Sequence, residues 1–168
     1  EVRASTIAAL SPQPGQILWD IGAGSGSVAI EFLRTVPSAK AVAFEKNAER
    51  VGRIARNALA LGVPALEIVT GTVPDILTSR SDAPDRIFVG GGVSAPGVLE
   101  AGWAMLKPGG RLVANAATLE GETSLFAWRA AHGGDLVRLS IERLEAVGSF
   151  QVWKPAIPVT QYCGVKRG

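Results

Sequence analysis

One cysteine, Cys163, stands in 168 residues, so neither an internal disulfide nor a thiolate metal cluster can form. A single histidine, His132, excludes multi-histidine metal sites and HExxH chemistry, and no metal ligand set is expected. No apolar stretch approaches the ~20 residues of a membrane-spanning helix. The longest charge-free run, Ala4 to Trp19, is interrupted by Pro12 and Pro14. No basic-then-apolar signal segment opens the chain. Neither sign of charge dominates: 17 Lys and Arg face 15 Asp and Glu, for a net charge of +2. That balance fits a cytoplasmic protein, is too even for a dedicated RNA clamp, and hints only mildly at anionic partners.

Enough apolar material is present to build a core. Hydrophobic residues make up 47% and charged residues 19%, which defines one folded domain that needs no staple. Short β-rich runs alternate with helical patterns. Strands are expected at Ile17–Trp19, Ala41–Phe44, Leu66–Val69, Arg86–Val89 and Arg111–Ala114. Between them, Val28, Phe32 and Val36 recur at helical spacing, and Asn47 can cap a helix whose buried stripe is Val51, Ile54, Ala55, Ala58 and Leu59. Pro96 to Leu106 and Leu119 to Ala131 read as two further helices. Leu136–Leu144 and Pro158–Val165 read as an antiparallel pair, with Gly148–Pro158 the least defined stretch. The result is an α/β fold: an open, doubly wound, mostly parallel seven-stranded sheet with an antiparallel edge hairpin.

In such sheets ligands bind beyond the carboxyl ends of the strands, at the switch point. The first strand runs into Asp20-Ile21-Gly22-Ala23-Gly24-Ser25-Gly26-Ser27. Three alternating glycines permit a tight strand-to-helix turn and close approach of backbone to a ligand. A dinucleotide fingerprint is GxGxxG; here the spacing is GxGxG, and Ser27 occupies the third glycine's place. Asp20, just ahead, would repel a phosphate and suits a cationic sulfonium or ammonium, which points to S-adenosylmethionine. Glu45 ends the second strand, where a carboxylate can accept from both ribose hydroxyls and disfavours NADP. Gly71, Thr72 and Val73 follow the third strand, at the expected adenine edge. Gly90, Gly91 and Gly92 follow the fourth, where methyl donor and acceptor would meet. Plainer readings stand beside these. The glycines can form a structural turn, Glu45 a surface acid, Thr72 a helix cap, and Gly90–Gly92 a loop only. Cys163 reads as a core or edge-strand thiol, His132 as a helix-end residue, and Trp103 and Trp128 as packing. Trp153 and Tyr162 are candidates for lining a flat aromatic substrate.

The segment Ile17 to Glu31, the opening Glu1-Val2-Arg3, the triplet Gly90–Gly92 and Asn115-Ala116-Ala117-Thr118-Leu119-Glu120 together resemble the class I methyltransferases of cobalamin synthesis, in particular the decarboxylating carbon-15 methyltransferase domains. The likeness covers nearly the whole chain; the last motif and Glu-Val-Arg are its more specific parts. It implies a Rossmann-like class I methyltransferase fold over residues 1–168. It implies S-adenosylmethionine held along Gly22, Ala23, Gly24, Ser25 and Gly26, with Glu45 on the ribose and Thr72 and Val73 at the adenine. Its substrate is an anionic tetrapyrrole, a precorrin, approached by Arg3, Gly92, Asn115, Thr118 and Glu120. It also implies a homo-oligomer and, in aerobic members, a fused carbon-5 methyltransferase domain ahead of this one. Where the family often has Asp after the third-strand glycine, Thr72 stands here. No nucleophile–base pair is expected, and no catalytic residue is singled out: the sulfonium is a methyl donor by itself, and the macrocycle's conjugated imine is the electron sink for loss of a ring acetate's carboxyl. Arg3, Lys107, Arg111, Arg129 and Lys154 are the cations available for the substrate's carboxylates. Two other readings remain: methylation of RNA or protein, though Val89–Gly92 lacks the polar-Pro-Pro-aromatic signature of base amino-methylases, and a non-catalytic cofactor-binding domain.

Overall fold

The computed structural model describes residues 1–168. Helices and strands alternate as α1 (Val2–Leu10), β1 (Ile17–Ile21), α2 (Ser27–Thr35), β2 (Lys40–Glu45), α3 (Ala48–Ala60), β3 (Glu67–Thr70), α4 (Asp75–Thr78), β4 (Arg86–Val89), α5 (Val98–Met105), β5 (Arg111–Ala116) and α6 (Leu119–His132). Four strands then follow without a helix: β6 (Asp135–Leu139), β7 (Glu142–Val147), β8 (Phe150–Pro155) and β9 (Val159–Val165). Seven strands form one sheet in the order β3-β2-β1-β4-β5-β9-β6, and β7 pairs only with β8. β9 is antiparallel to both neighbours, and β1 to β5 pair in parallel.

The period of two along each strand divides the core between the sheet's two faces. Trp19, Ile21, Val42, Phe44, Ile87 and Val89 pack with Leu77, Leu99, Leu125 and Trp128, under α4, α5 and α6. Leu18, Ala41, Ala43, Phe88 and Val113 pack with Leu10, Val28, Phe32 and Ile54, under α1, α2 and α3. Burying each large aliphatic or aromatic side chain contributes about 1.5–3 kcal/mol, so both layers are firmly held. The same alternation sends Asp20 and Glu45 to the α2–α3 side.

Several expectations change. β1 continues through Asp20 to Ile21, because Asp20 is buried and satisfied in part by an α2 amide. The helices α1 and α4 have no counterpart among the expected elements; α1 has a weak apolar stripe, and α4 is a single turn. Leu59 is exposed and Ala55 outward-facing, so the α3 stripe narrows to Ile54 and Ala58. Asn47 caps α3 as expected, accepting from the Arg50 amide at 3.0 Å. Gly97, not Pro96, is the residue before α5. Thr72 does not cap α4 with its side chain; Pro74 precedes that helix. Leu136–Leu144 is broken at Ser140–Ile141, and its second half pairs with Phe150–Pro155 in a separate ribbon. β9 lies inside the sheet, which leaves β6 as the edge. Tyr162 is fully buried, its hydroxyl donating to the Gly133 carbonyl at 3.0 Å, so it cannot line a substrate. Trp103 and Trp128 pack edge to face at 5.9 Å, and His132 ends α6 stacked on Trp128.

Candidate functional site

The sheet order reverses between β1 and β4, and the loops that follow these two strands meet there. A Cβ on Gly22 would lie 2.7 Å from the Gly91 carbonyl oxygen, so the glycine pair lets the two backbones touch. Gly22 has φ +69° and Gly24 has φ +60°, conformations that glycine adopts without steric penalty. At Gly24 a Cβ would meet no atom nearer than 4.0 Å, so that position faces open space. Gly26 then starts α2 as its N-cap.

Beside this junction lies a cleft of about 250 Å³ lined by Ile21, Gly22, Phe44, Glu45, Lys46, Arg50, Gly71, Thr72, Val73, Gly91, Gly92, Ala95 and Val98. It gathers the ends of β1, β2, β3 and β4, which are far apart in the chain. A larger cavity, about 680 Å³, opens around Ile17, Lys40 and Glu67. Those residues begin their strands, at the end of the sheet opposite the glycine loop, so the larger volume is not the switch-point site.

Glu45 is 4% exposed, yet its carboxylate is satisfied. One oxygen accepts from the Gly24 amide at 2.9 Å and the other from the Asn47 amide at 3.0 Å. It therefore clamps the glycine loop to the start of α3. A carboxylate offers about four acceptor positions, so both oxygens can still accept from a ligand diol in the cleft.

Asp20 does not line the cleft. It is 1% exposed and lies beneath the glycine loop, where Oδ2 accepts from the Ala29 amide at 3.0 Å. That amide belongs to the first turn of α2, an arrangement that favours a negative charge. Oδ1 has no hydrogen-bond partner in the protein. Burial pushes the Asp20 carboxyl up to about 7 despite the Ala29 amide, and the neighbouring Glu45 charge adds to the rise. Asp20 is thus a buried acid poised near neutrality under the loop.

The remaining candidates are scattered. Ala23 and Ser25 lie on the glycine loop outside the cleft lining, and Gly90 packs its backbone against the Phe88 ring and the Gly22 carbonyl. Of the residues expected near a substrate, Gly92 lines the cleft. Thr118 and Glu120 stand exposed at the start of α6, where the Thr118 hydroxyl accepts from the Gly121 amide. Asn115 points inward: it donates to Thr6 at 2.9 Å and accepts from Gln161 at 2.9 Å. Arg3 borders a separate shallow pocket with Ser25, Ser27 and Asn57. Lys107 and Arg111 sit at the amino ends of the strands, bound to Asp85 and the Ala9 carbonyl, and cannot serve the cleft. Arg129 donates to the Gly134 carbonyl and Lys154 to Glu145. The cations in the cleft are Lys46 and Arg50, neither in an ion pair. Neither is among the sequence candidates, although Lys46 follows Glu45 directly and Arg50 lies in the first turn after Asn47. Ala95 and Val98 carry no local signal at all.

A doubly wound sheet with one antiparallel strand beside β5, a GxGxG loop at its switch point and a carboxylate ending β2 is a Rossmann-like methyltransferase fold. Residues 1–166 match the family model of the precorrin methyltransferase domain, and the chain belongs to that family. Among curated relatives, a precorrin-6Y C(5,15)-methyltransferase (decarboxylating) from a Sinorhizobium species is 48% identical over 166 residues, 99% of this chain and 40% of that protein. The chain thus spans well under half the length of such relatives. A cobalt-precorrin-6B C(15)-methyltransferase (decarboxylating) from Salmonella typhimurium is 34% identical, with 94% of this chain and 83% of that protein aligned. The solved C-terminal domain of precorrin-6Y C5,15-methyltransferase from Rhodobacter capsulatus superposes with a TM-score of 0.90 at 38% identity, covering 98% of this chain and 88% of that one.

Proposed function

We propose that this chain binds S-adenosylmethionine in the switch-point cleft and methylates a precorrin at meso carbon 15, with loss of a ring acetate's carboxyl as carbon dioxide, in cobalamin synthesis. The observation that carries the assignment to carbon 15 is the Salmonella relative. That protein is named for carbon-15 methylation with decarboxylation, and this chain aligns with 83% of its length. The carbon-5 activity in the longer relatives' name is not ascribed to these residues; we propose that it belongs to a fused domain ahead of them.

The cleft fits the cofactor on its own chemistry. The open space at Gly24 can take a ligand against bare backbone, Glu45 has acceptors left for a ribose, and Phe44, Val73 and Val98 offer apolar surface for a base. The bound cofactor supplies an activated methyl group on a sulfonium. Asp20 and Glu45 add negative charge behind a cationic ligand, whereas they would oppose a pyrophosphate. Gly91 and Gly92 leave room for the acceptor carbon near the methyl group. Lys46 and Arg50, with Arg3 on α1 and the Thr118 hydroxyl at the start of α6, are the groups we assign to the polycarboxylate rim; Glu120, an exposed acid, would repel a carboxylate and is better suited to a nitrogen of the macrocycle. The chain then works chiefly by positioning and electrostatics.

Gly24→Val is expected to abolish S-adenosylmethionine binding in calorimetry while circular dichroism keeps the native signature. The branched side chain fills the open space, and the left-handed backbone costs about 1–2 kcal/mol for a residue with a Cβ. Wild-type affinity in the folded variant would remove the cofactor assignment. For the reaction, the domain is incubated with labelled cofactor and a carbon-5-methylated precorrin. One carbon dioxide released per methyl transferred is expected. Methylation of tRNA or protein with no turnover of the tetrapyrrole would reassign the substrate.

A further inference from the structure

Two consecutive residues of β9, Thr160 and Gln161, carry polar side chains and are 3% and 1% exposed. The period of two along the strand sends them to opposite faces of the sheet, and each ties down the start of a helix. On the α1 side, the Gln161 amide donates to the Thr6 hydroxyl at 3.0 Å and to the Asn115 side-chain oxygen at 2.9 Å. Its own side-chain oxygen accepts from the Ser5 hydroxyl at 3.1 Å. Thr6 also accepts from Asn115 at 2.9 Å and donates to the Val2 carbonyl at 2.9 Å, which uses the full hydrogen-bonding capacity of a hydroxyl. On the α6 side, the Thr160 hydroxyl donates to Glu122 at 2.6 Å. Arg138 of β6 donates to the same carboxylate oxygen at 2.7 Å, and the Glu122 amide donates to the Thr118 carbonyl at 2.9 Å.

Both clasps lie at the carboxyl end of the parallel strands, where Asn115 and Ala116 of β5 pair with Gln161 and Thr160. α1 runs against those strands. Its last turn is held at their other end, where Arg86 donates to the Leu10 carbonyl at 2.6 Å and Arg111 to that of Ala9 at 2.7 Å. Its first turn, with Arg3 between Val2 and Ser5, therefore sits at the end of the sheet that bears the cleft. Farther along, the same helices are packed by apolar side chains, Leu10 on α1 and Leu125 and Trp128 on α6. Apolar packing could hold the helix starts as well, since replacing both partners of a buried hydrogen bond by apolar groups of the same shape can be nearly neutral. What a fully satisfied polar network adds is one fixed geometry. We propose that Thr160 and Gln161 are positioning residues for the substrate, a role that rests on the precorrin reading of the cleft. Gln161 fixes Arg3 through Ser5 and Thr6. Thr160 fixes Thr118 and Glu120 through Glu122, so one strand sets two sides of the substrate rim in register.

The test is steady-state kinetics with a carbon-5-methylated precorrin, beside calorimetry with S-adenosylmethionine. Thr160→Val keeps the side chain's shape and removes its hydroxyl; Gln161→Leu removes the amide. Each is expected to raise KM for the precorrin about tenfold, as the loss of one hydrogen bond to a charged group would. kcat should change by less, and the cofactor's dissociation constant should stay that of the wild type. Thr160→Ser, which keeps the hydroxyl, should keep the wild-type KM. Arg3→Gln should raise KM by itself, and adding Gln161→Leu to it should raise KM by less than about twofold more, because residues acting through one contact are not additive. The two Thr160 variants decide the matter even if Gln161→Leu fails to fold. A lowered melting temperature with an unchanged KM would make both residues scaffold alone and overturn the proposal. So would a loss in Gln161→Leu that adds in full to that of Arg3→Gln. A wild type that binds the cofactor and leaves the precorrin unmethylated would instead remove the substrate reading, and the positioning role with it.

Discussion

Wild type is expected to lose roughly 4 kcal/mol of folding stability between about pH 4 and pH 8 relative to an Asp20→Asn variant, which carries no proton to lose. The cause is burial of the Asp20 carboxyl, reinforced by the Glu45 charge, which raises it from 3.8 to about 7. The sign follows from proton counting. Between these two values the native protein holds a proton that the unfolded chain has released. Stability therefore falls as pH rises through that window, and the penalty is complete above about 7. Urea unfolding of both proteins across this range measures it; parallel stability curves would show that Asp20 ionises freely. The same residue predicts the cofactor's behaviour. An ionised Asp20 adds a negative charge behind the cleft, so affinity for the cationic sulfonium should rise with pH through neutrality in the wild type. In Asp20→Asn at about pH 8 it should be lower by about tenfold, ~1.4 kcal/mol, and insensitive to pH in that range. Asp20 thus gives up stability near neutral pH for charge at the site, as binding residues commonly do.

Glu45→Ala should lose both stability and cofactor affinity, and Glu45→Gln should separate the two. The carboxylate holds the Gly24 and Asn47 amides at 2.9 and 3.0 Å, and hydrogen bonds to a charged group contribute about 1.5–3 kcal/mol each. Alanine strands both amides, so a stability loss of about 3–6 kcal/mol and a fall in affinity of two decades or more are expected. Glutamine keeps an acceptor for one amide and most of the fold, while the affinity still falls by about one decade because the charged acceptor that we assign to the ribose is gone. Thermal unfolding and calorimetry on the same preparations provide the comparison. An unchanged dissociation constant in both variants would leave Glu45 as a structural clamp alone.

The parts of this protein that are legible in its sequence are those that local physics specifies. Alternation of apolar runs with helical spacing produces the five parallel strands in the right order, with the helices that follow four of them. Asn47 declares its cap, and the glycine spacing behind Asp20, with Glu45 ending the next strand, marks the switch point by residue type and spacing alone. What escapes has causes that are not local. Asp20 reads as a ligand contact, but the period of two along β1 turns it to the α2 side and under the loop, which leaves it charge and not touch as its proposed influence on a ligand. Asn115 belongs to a segment resembling a substrate motif, yet tertiary packing of α1 on β5 and β9 engages its amide with Thr6 and Gln161. Tyr162 reads as available, but β9 enters the sheet interior and buries it. Lys107 and Arg111 count as cations for an anionic substrate, although strand direction places them at the far end of the sheet. Lys46, Arg50, Ala95 and Val98 meet in one cleft only because β1, β2 and β4 lie side by side. The ribbon β7–β8 is the sharpest case: its alternating residues specify strands, but which surface they cover depends on contacts beyond the strand pair, and no local pattern encodes those. Element type and the chemistry of the glycine loop are therefore written in the sequence. Which side of the sheet each side chain faces, and which end of it each charge serves, is decided by the tertiary structure, since both follow from pairing between residues distant in the chain.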